Sequence, residues 1–464
     1  MSFIYKASRY NFVKEDKKGG GKIIYNTKTG AIDIVEPESV EKFDAILLKS
    51  DSEFVENDEL YEIMYQQGYI VRQEKDEVQD IIDWNKTSSE VEHITYLTIL
   101  PTETCNFACP YCFIYTFRDR HMTDETWEAL YKYCVKFFEK NKEKKWFQID
   151  LSWFGGEPLI VADKIMQFME RIKELMLQYP NARMNSNIVT NGYLLTYELF
   201  KKMLDLGIRR WQVTLDGDAE THDTLRTTQG KKPTFDVIYK NLLDILENVP
   251  ANEEFSFAIR GNFLRSTITS CERLLNKYRQ DFSHDKRFHI YFRPVYNFDT
   301  DRNDIDAIDA DILECEEGVR VQNRLSMDSF NINHDPNTLV RVTNPLPEPT
   351  HSWCTSIKKN AHIIGYDGSV FSCDTMITEK KDAVGELKPD GSIVLNDNAK
   401  IWKQSIFDSR DRWGDMLDQC LACRLLPVCV GGCNRSRIVN GKNPCFWNDN
   451  LIYDAMDEYA DSYQ

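Results

Sequence analysis

Ten of the thirteen cysteines in this 464-residue chain fall into two sets whose spacing suits metal ligation. The first is Cys105-Asn106-Phe107-Ala108-Cys109-Pro110-Tyr111-Cys112, a Cys-x3-Cys-x2-Cys triad. Three thiolates hold three irons of a 4Fe–4S cluster and leave the fourth iron open to an exogenous ligand. On spacing alone, a zinc site, an electron-transfer site and a chance cluster stay open as well. The second set begins at Cys354, with Gly368 and Cys373 after it. It continues through Cys420-x2-Cys423-x5-Cys429-x3-Cys433 and closes at Cys445. Cys420-x2-Cys423 by itself would suit a zinc ribbon. Cys134, on an apolar helical face, and Cys271 read as small core residues.

The triad needs an element that delivers it. From about His93 the pattern alternates between strand and helix, with strands expected at Ile94 to Leu100, Phe147 to Phe154, Met184 to Thr190, Trp211 to Leu215, Phe255 to Arg260 and Ile290 to Val295. Thr123 is the expected cap of a helix whose apolar face holds Trp127, Leu130, Cys134 and Phe137. Six strands separated by helices predict parallel βα units, an α/β core closing as a partial (β/α)6 barrel over 93–300. The triad then lies in the loop at the C-terminal end of the first strand, where barrel active sites are built.

Residues 1–92 read as a small α+β unit. A hairpin is expected from Lys22 to Val35 across Asn26-Thr27-Lys28-Thr29-Gly30, with helices after Ser39 and Asn57 and a strand at Tyr69 to Arg72. This order resembles a winged helix-turn-helix. Residues 301–350 are expected to bridge, around a helix from Asp309 to Leu325, and 351–464 form the cysteine-rich tail.

Composition bounds the partners. Charged residues make up 28%, and 74 acidic against 57 basic residues give a net charge of −17, which argues against a nucleic-acid partner. No apolar run reaches membrane-spanning length, and Met1 to Lys6 starts without the pattern of a secretory signal. The expected location is the cytoplasm, where thiols stay reduced and such cysteine spacing points to metal rather than disulfides.

The triad, with Tyr111 before its third cysteine, resembles the signature of the radical S-adenosylmethionine (SAM) superfamily. Trp153-Phe154-Gly155-Gly156-Glu157-Pro158 is similar to that family's GGEP motif, which implies that Glu157 and the paired glycines meet the amino group of SAM. Thr190-Asn191-Gly192 resembles its TNG element. Thr214-Leu215-Asp216-Gly217, then His222-Asp223 and Arg226, resembles a further stretch in which Thr214 supplies a hydroxyl toward SAM. Arg226 suits a carboxylate partner or an ordinary salt bridge, and His222 suits loop orientation more than acid–base chemistry.

The tail is similar to the seven-cysteine SPASM domain of radical SAM peptide-modifying enzymes. That resemblance implies a distal cluster on Cys420, Cys423, Cys429 and Cys445, and a nearer one on Cys354, Cys373 and Cys433. The nearer set has three cysteines. Its fourth position is an open iron or an unexpected ligand, since Cys315 lies far upstream. Asp374, directly after Cys373, stands where anaerobic sulfatase maturases place a base; an Asx turn is the plain alternative.

The resemblance implies three 4Fe–4S clusters and SAM as cofactors, and cleavage of SAM to a 5′-deoxyadenosyl radical. It further implies hydrogen abstraction from a ribosomally made precursor peptide and a cysteine thioether crosslink. Residues 1–92 would bind the leader of that precursor as an added strand. An electron donor such as flavodoxin or ferredoxin is implied as a partner. Carbon–carbon crosslinking, formylglycine formation on a sulfatase and a noncatalytic electron-transfer role remain the alternatives.

Overall fold

A computed structural model describes residues 3–49, 52–114, 119–297, 308–333, 346–377 and 380–463. The chain divides into two compact units that do not follow its order. One comprises residues 1–90, 341–358 and 404–464, the other 91–340 and 359–403. The parts of the expected bridge at 301–307 and 334–345 lie outside the described residues.

The first unit opens with strands β1 (Ile4–Ala7), β2 (Asn11–Glu15), β3 (Lys22–Asn26) and β4 (Ile32–Val35). The expected hairpin is β3–β4, antiparallel with Ile24 opposite Asp33. Its turn follows from Asn26, whose side-chain oxygen accepts the amides of Lys28 (2.9 Å) and Thr29 (3.1 Å), and from Gly30 at φ +74°. Next come α1 (Val40–Leu48), β5 (Ser52–Glu53), α2 (Glu59–Gln66), β6 (Ile70–Arg72) and α3 (Glu77–Ser89). The cap of α2 is Asp58, which accepts from the Leu60 and Tyr61 amides, one residue beyond the expected Asn57. β1 lies between β5 and β6, antiparallel to both.

The second unit carries the expected rhythm: β7 (Ile94–Ile99), α4 (Asp124–Asn141), β8 (Phe147–Trp153), α5 (Ala162–Met176), β9 (Ala182–Thr190), α6 (Tyr197–Asp205) and β10 (Arg210–Thr214). It continues with α7 (Ala219–Leu225), α8 (Phe235–Asn248), β11 (Ser256–Phe263), α9 (Ile268–Asp281), β12 (Phe288–Pro294) and α10 (Cys315–Asn333). Strands β7 to β12 are parallel and lie in chain order. Alternate residues of β8 are buried, Phe147, Ile149, Leu151 and Trp153 among them, and that period fixes which side chains face the core. Thr123 caps α4 as expected, its hydroxyl accepting the Thr126 amide. The expected helix from Asp309 begins later, at Cys315, because Ile312 is extended after a single turn at Asp309–Asp311.

The sheet does not stop at β7. β13 (Ala361–Ile364) pairs with it in parallel, Ile364 opposite Ile99. β14 (Ser369–Phe371), β15 (Gly385–Leu387) and β16 (Ile393–Leu395) follow antiparallel, completing a ten-stranded sheet. After α11 (Ala399–Trp402) the chain returns to the first unit as α12 (Arg410–Ala422), α13 (Leu426–Cys429), α14 (Asn434–Asn440) and α15 (Asp449–Tyr463). There Leu425, Val428, Ile452 and Met456 share one core with Phe12, Ile23 and Tyr25, so the cysteine-rich tail and the N-terminal strands bury each other.

Candidate functional site

Parallel strands put all their C-terminal ends on one edge, and the loops after β7, β8, β9 and β10 hold the residues singled out by sequence. The loop after β7 is pinned first by Thr102, whose hydroxyl donates to the Arg120 carbonyl (2.8 Å) and accepts the Thr104 amide (2.9 Å). Residues 106–108 then run antiparallel to 227–229. Ala108 donates to the Thr227 carbonyl and Gln229 to the Asn106 carbonyl, both at 3.0 Å. The Gln229 amide side chain donates to the Cys105 carbonyl at 2.5 Å. Cys105 Sγ accepts the Phe107 amide (3.4 Å) and faces Asn191 Nδ2 at 3.9 Å.

The three thiols of the triad act on one another. Burial, with Glu157 and then the other two thiols adding, pushes Cys105 well above its ordinary value. Burial pushes Cys109 up to about 12; Arg226 opposes the rise, and Cys112 adds to it. A metal must displace these protons, so clustered buried thiols are costly until they are ligated. The donor set is soft and threefold, which fits three corners of an iron–sulfur cube. Among the described residues, no three His, Cys, Asp or Glu side chains converge as the ligands of a single ion would. Thiolates on separate irons of a cube stand further apart than that.

Gly155 and Gly156 meet the triad loop itself. A Cβ on Gly156 would lie 2.3 Å from the Thr104 carbonyl oxygen and 2.5 Å from that of Glu103, and Gly155 sits at φ +123°. Backbone packs where side chains would otherwise be. Glu157, 1% exposed, accepts from the Thr190 hydroxyl (2.7 Å), the Asn191 amide (2.7 Å) and the Leu159 amide (3.0 Å). Burial raises its carboxyl, although these three donors oppose the rise. A carboxylate has about four acceptor positions, so one remains for a ligand ammonium.

The loop after β10 builds a buried network. Asp216 accepts at Oδ1 from the Asn262 amide (2.8 Å) and side chain (3.1 Å), and at Oδ2 from the Tyr111 hydroxyl. Arg226 Nη1 donates to that hydroxyl at 2.8 Å and lies 3.8 Å from Asp216 Oδ2. His222 Nδ1 accepts the Asp216 amide (3.1 Å), which leaves the proton on Nε2, 3.0 Å from the Thr234 hydroxyl. Burial, with Arg226 adding, holds His222 well below its ordinary value, so it orients the loop as a neutral ring. Thr214 is buried at the end of β10. Among the described residues, Arg226 Nε and Asn106 Nδ2 are buried donors without a partner. Such donors are costly unless a ligand takes them, and their place beside the triad fits SAM.

Sequence reading missed Asn262 and Gln229, whose partners are distant in the chain, and Thr234, which meets His222 and Arg226 across the turn between two helices. Asn262 has a visible signal: a polar residue at the C-terminal end of a buried strand.

In the tail, Cys420, Cys423, Cys429 and Cys445 come together. Burial pushes Cys420 up to about 11 and Cys429 up to about 12; Cys423 and Cys445 add in both cases. Cys354 and Cys433 lie in the same unit, and Cys373 follows β14 in the other. Asp374 is exposed; desolvation by neighbouring protein raises its carboxyl, while the amides of Asp374 and Thr375 and then Arg260 oppose the rise.

Residues 99–262 match the model of the Radical SAM superfamily. The radical SAM cyclopropyl synthase TigE of Paramaledivibacter caminithermalis is 23% identical over 43% of this chain and 50% of its own length. A serine-type anaerobic sulfatase-maturating enzyme of Bacteroides thetaiotaomicron is 29% identical over 30% of this chain and 34% of its own. The chain thus spans half or less of these curated relatives. A cysteine-type anaerobic sulfatase-maturating enzyme of Clostridium novyi is 24% identical over 77% of this chain and 92% of its own. In solved structures, native anSMEcpe with bound AdoMet and Cp18Cys peptide shares the fold at 18% identity and TM-score 0.53, over 80% of this chain and 97% of that one.

Proposed function

We propose that this chain, a radical SAM enzyme by its domain at residues 99–262, is a peptide maturase that joins a cysteine sulfur to a carbon of a ribosomally made precursor. The observation that carries this reading is the second group of thiols. A chain that only cleaves SAM needs the triad; Cys420, Cys423, Cys429 and Cys445 gathered in one unit suit an auxiliary cluster. Cys354, Cys373 and Cys433 would hold another, giving three 4Fe–4S clusters.

When bound, the first cluster and SAM supply a 5′-deoxyadenosyl radical for hydrogen abstraction, and the auxiliary clusters supply a place for the remaining electron. The chain's residues would position and protect. Cys105, Cys109 and Cys112 hold the cluster; Glu157 offers its remaining lone pair to the SAM ammonium; Asn191 and Thr214 line the same strand ends. Arg226, steadied by Tyr111 and Asp216, offers its free donor to the SAM carboxylate. Asp374, with its carboxyl raised, suits the base that takes the substrate proton.

In this reading residues 93–300 form a partial (β/α)6 barrel, and residues 1–92 a winged-helix-like unit for the leader peptide. Residues 301–350 bridge, and 351–464 form the SPASM domain. The peptide substrate is supported by the peptide held in the anSMEcpe structure, the location is cytoplasmic, and the electron donor is a flavodoxin or ferredoxin. Among the described residues no helix is long and apolar enough to cross a membrane.

The long match to a cysteine-type sulfatase maturase, together with Asp374, favours formylglycine formation as a second reading. Anaerobic incubation with SAM, reductant and a cysteine-containing precursor separates the two. Loss of two hydrogens with the cysteine sulfur retained in a thioether supports the first; conversion of a sulfatase peptide to the aldehyde supports the second.

A further inference from the structure

Among the described residues, a buried cation stands beside the tail thiols with no carboxylate in ion-pair contact. Arg437, on α14, is 3% exposed. Its Nη1 donates to the Gly431 carbonyl, within the Cys429–Cys433 loop, and its Nη2 to Asn434 Oδ1, next to Cys433. Asn434 Nδ2 donates to the Ser356 hydroxyl at 3.1 Å, and the Ser356 amide to Cys354 Sγ at 3.4 Å. One hydrogen-bonded path therefore runs from the Cys429–Cys433 loop through Arg437 to Cys354. The guanidinium also lies over Trp413, 5.5 Å from the ring centroid.

Two observations set this arginine apart from a structural clamp. Among the described residues it makes no ion pair, and its Nε is buried without an acceptor. Burying an unpaired charge is expensive, so an anion must complete the site. The groups on which its charge acts are the thiols of Cys420, Cys433, Cys354 and Cys429.

Resting on the reading of these thiols as cluster ligands, we propose that Arg437 is the counter-charge of the auxiliary clusters and raises their reduction potentials. Reduction adds negative charge to a cluster. A fixed cation and a hydrogen-bond donor close to its sulfurs favour that reduced state, so an electron leaving the substrate finds a better acceptor. A unit charge at roughly 10 Å and an effective dielectric of about 20 changes the ratio of reduced to oxidised cluster by about tenfold at a fixed potential.

The test uses full-length protein with Cys105, Cys109 and Cys112 replaced by alanine, so that only auxiliary signals remain, in three versions: Arg437 intact, R437K and R437Q. Iron content comes first, then a redox titration followed by electron paramagnetic resonance. About eight irons in the Arg437-intact protein uphold the underlying reading; zinc or no metal there ends that reading before Arg437 is judged. With iron equal in all three, a fall of about tenfold in the reduced fraction for R437Q, and a smaller fall for R437K, supports the proposal. Equal potentials in R437Q and the Arg437-intact protein overturn it. Loss of iron from R437Q overturns it too, in favour of a structural clamp.

Discussion

Replacing Gly156 by alanine adds one methyl group where the chain has no room for it. The new Cβ would lie 2.3 Å from the Thr104 carbonyl oxygen, 2.5 Å from that of Glu103 and 2.6 Å from the Thr104 carbonyl carbon. All three are backbone atoms of the segment leading into Cys105, so no side chain can swing aside. The loop after β8 or the triad loop must move by about an ångström to restore ordinary contact, and overpacking of this kind costs about 1–3 kcal/mol. For a unit of this size that lowers the apparent Tm by roughly 2–12 °C. Moving the loop also displaces Cys105 from the Gln229 and Asn191 contacts, so iron retention should fall together with Tm. Gly230→Ala is the control, since its Cβ would meet nothing closer than Thr228 Oγ1 at 3.8 Å. Thermal scans at one rate, with iron assays on G156A, G230A and the parent, decide the matter. A G156A protein with parental Tm and parental iron would refute the claim that the paired glycines exist to let the two loops touch.

Two further outcomes follow from the same edge of the sheet. Tyr111→Phe removes the hydroxyl shared by Asp216 and Arg226 and leaves two buried charges 3.8 Å apart without their bridge. A loss of about 1–2 kcal/mol is expected, read by equilibrium binding as roughly tenfold weaker SAM affinity at unchanged iron content. His222 is held neutral in the folded chain, below its ordinary 6.5, by burial and by Arg226. Its depressed pKa makes a contribution to stability that is present above pH 6.5 and lost as pH falls, because the unfolded chain then takes up a proton and the folded one does not. Between pH 7 and 5 this amounts to about 2 kcal/mol, so the stability advantage over H222Q should shrink by that amount in urea titrations. A parallel pH dependence in the two proteins would mean the ring is protonated in the folded state.

Much of the core was legible because the strands alternate apolar and polar residues, one face of each buried, and are separated by helical stretches. Each of β7 to β12 begins and ends within a few residues of expectation, and the sequence motifs fall at strand ends. β1, β2 and α3 were not legible. Asn11 to Glu15 mixes polar and apolar residues, and Ile4 to Ala7 is a strand because it pairs with Ser52–Glu53 and Ile70–Arg72, far along the chain. β13 joins β7 across more than two hundred residues, which no local pattern announces. In the site, residue types that carry chemistry stood out, whereas Gln229, Asn262 and Arg437 gain their meaning from the groups they face. Gly155 and Gly156 also approach the backbone of Thr102–Thr104, a contact no local pattern announces.

The most direct test of the account is the iron and acid-labile sulfide content of anaerobically reconstituted protein, beside the C105A/C109A/C112A variant. Near twelve irons in the parent, falling by about four in the variant, is the predicted result for one SAM-binding and two auxiliary 4Fe–4S clusters. About four irons in the parent, or zinc in the tail, would contradict the account, and the auxiliary thiols would then have no part in the chemistry.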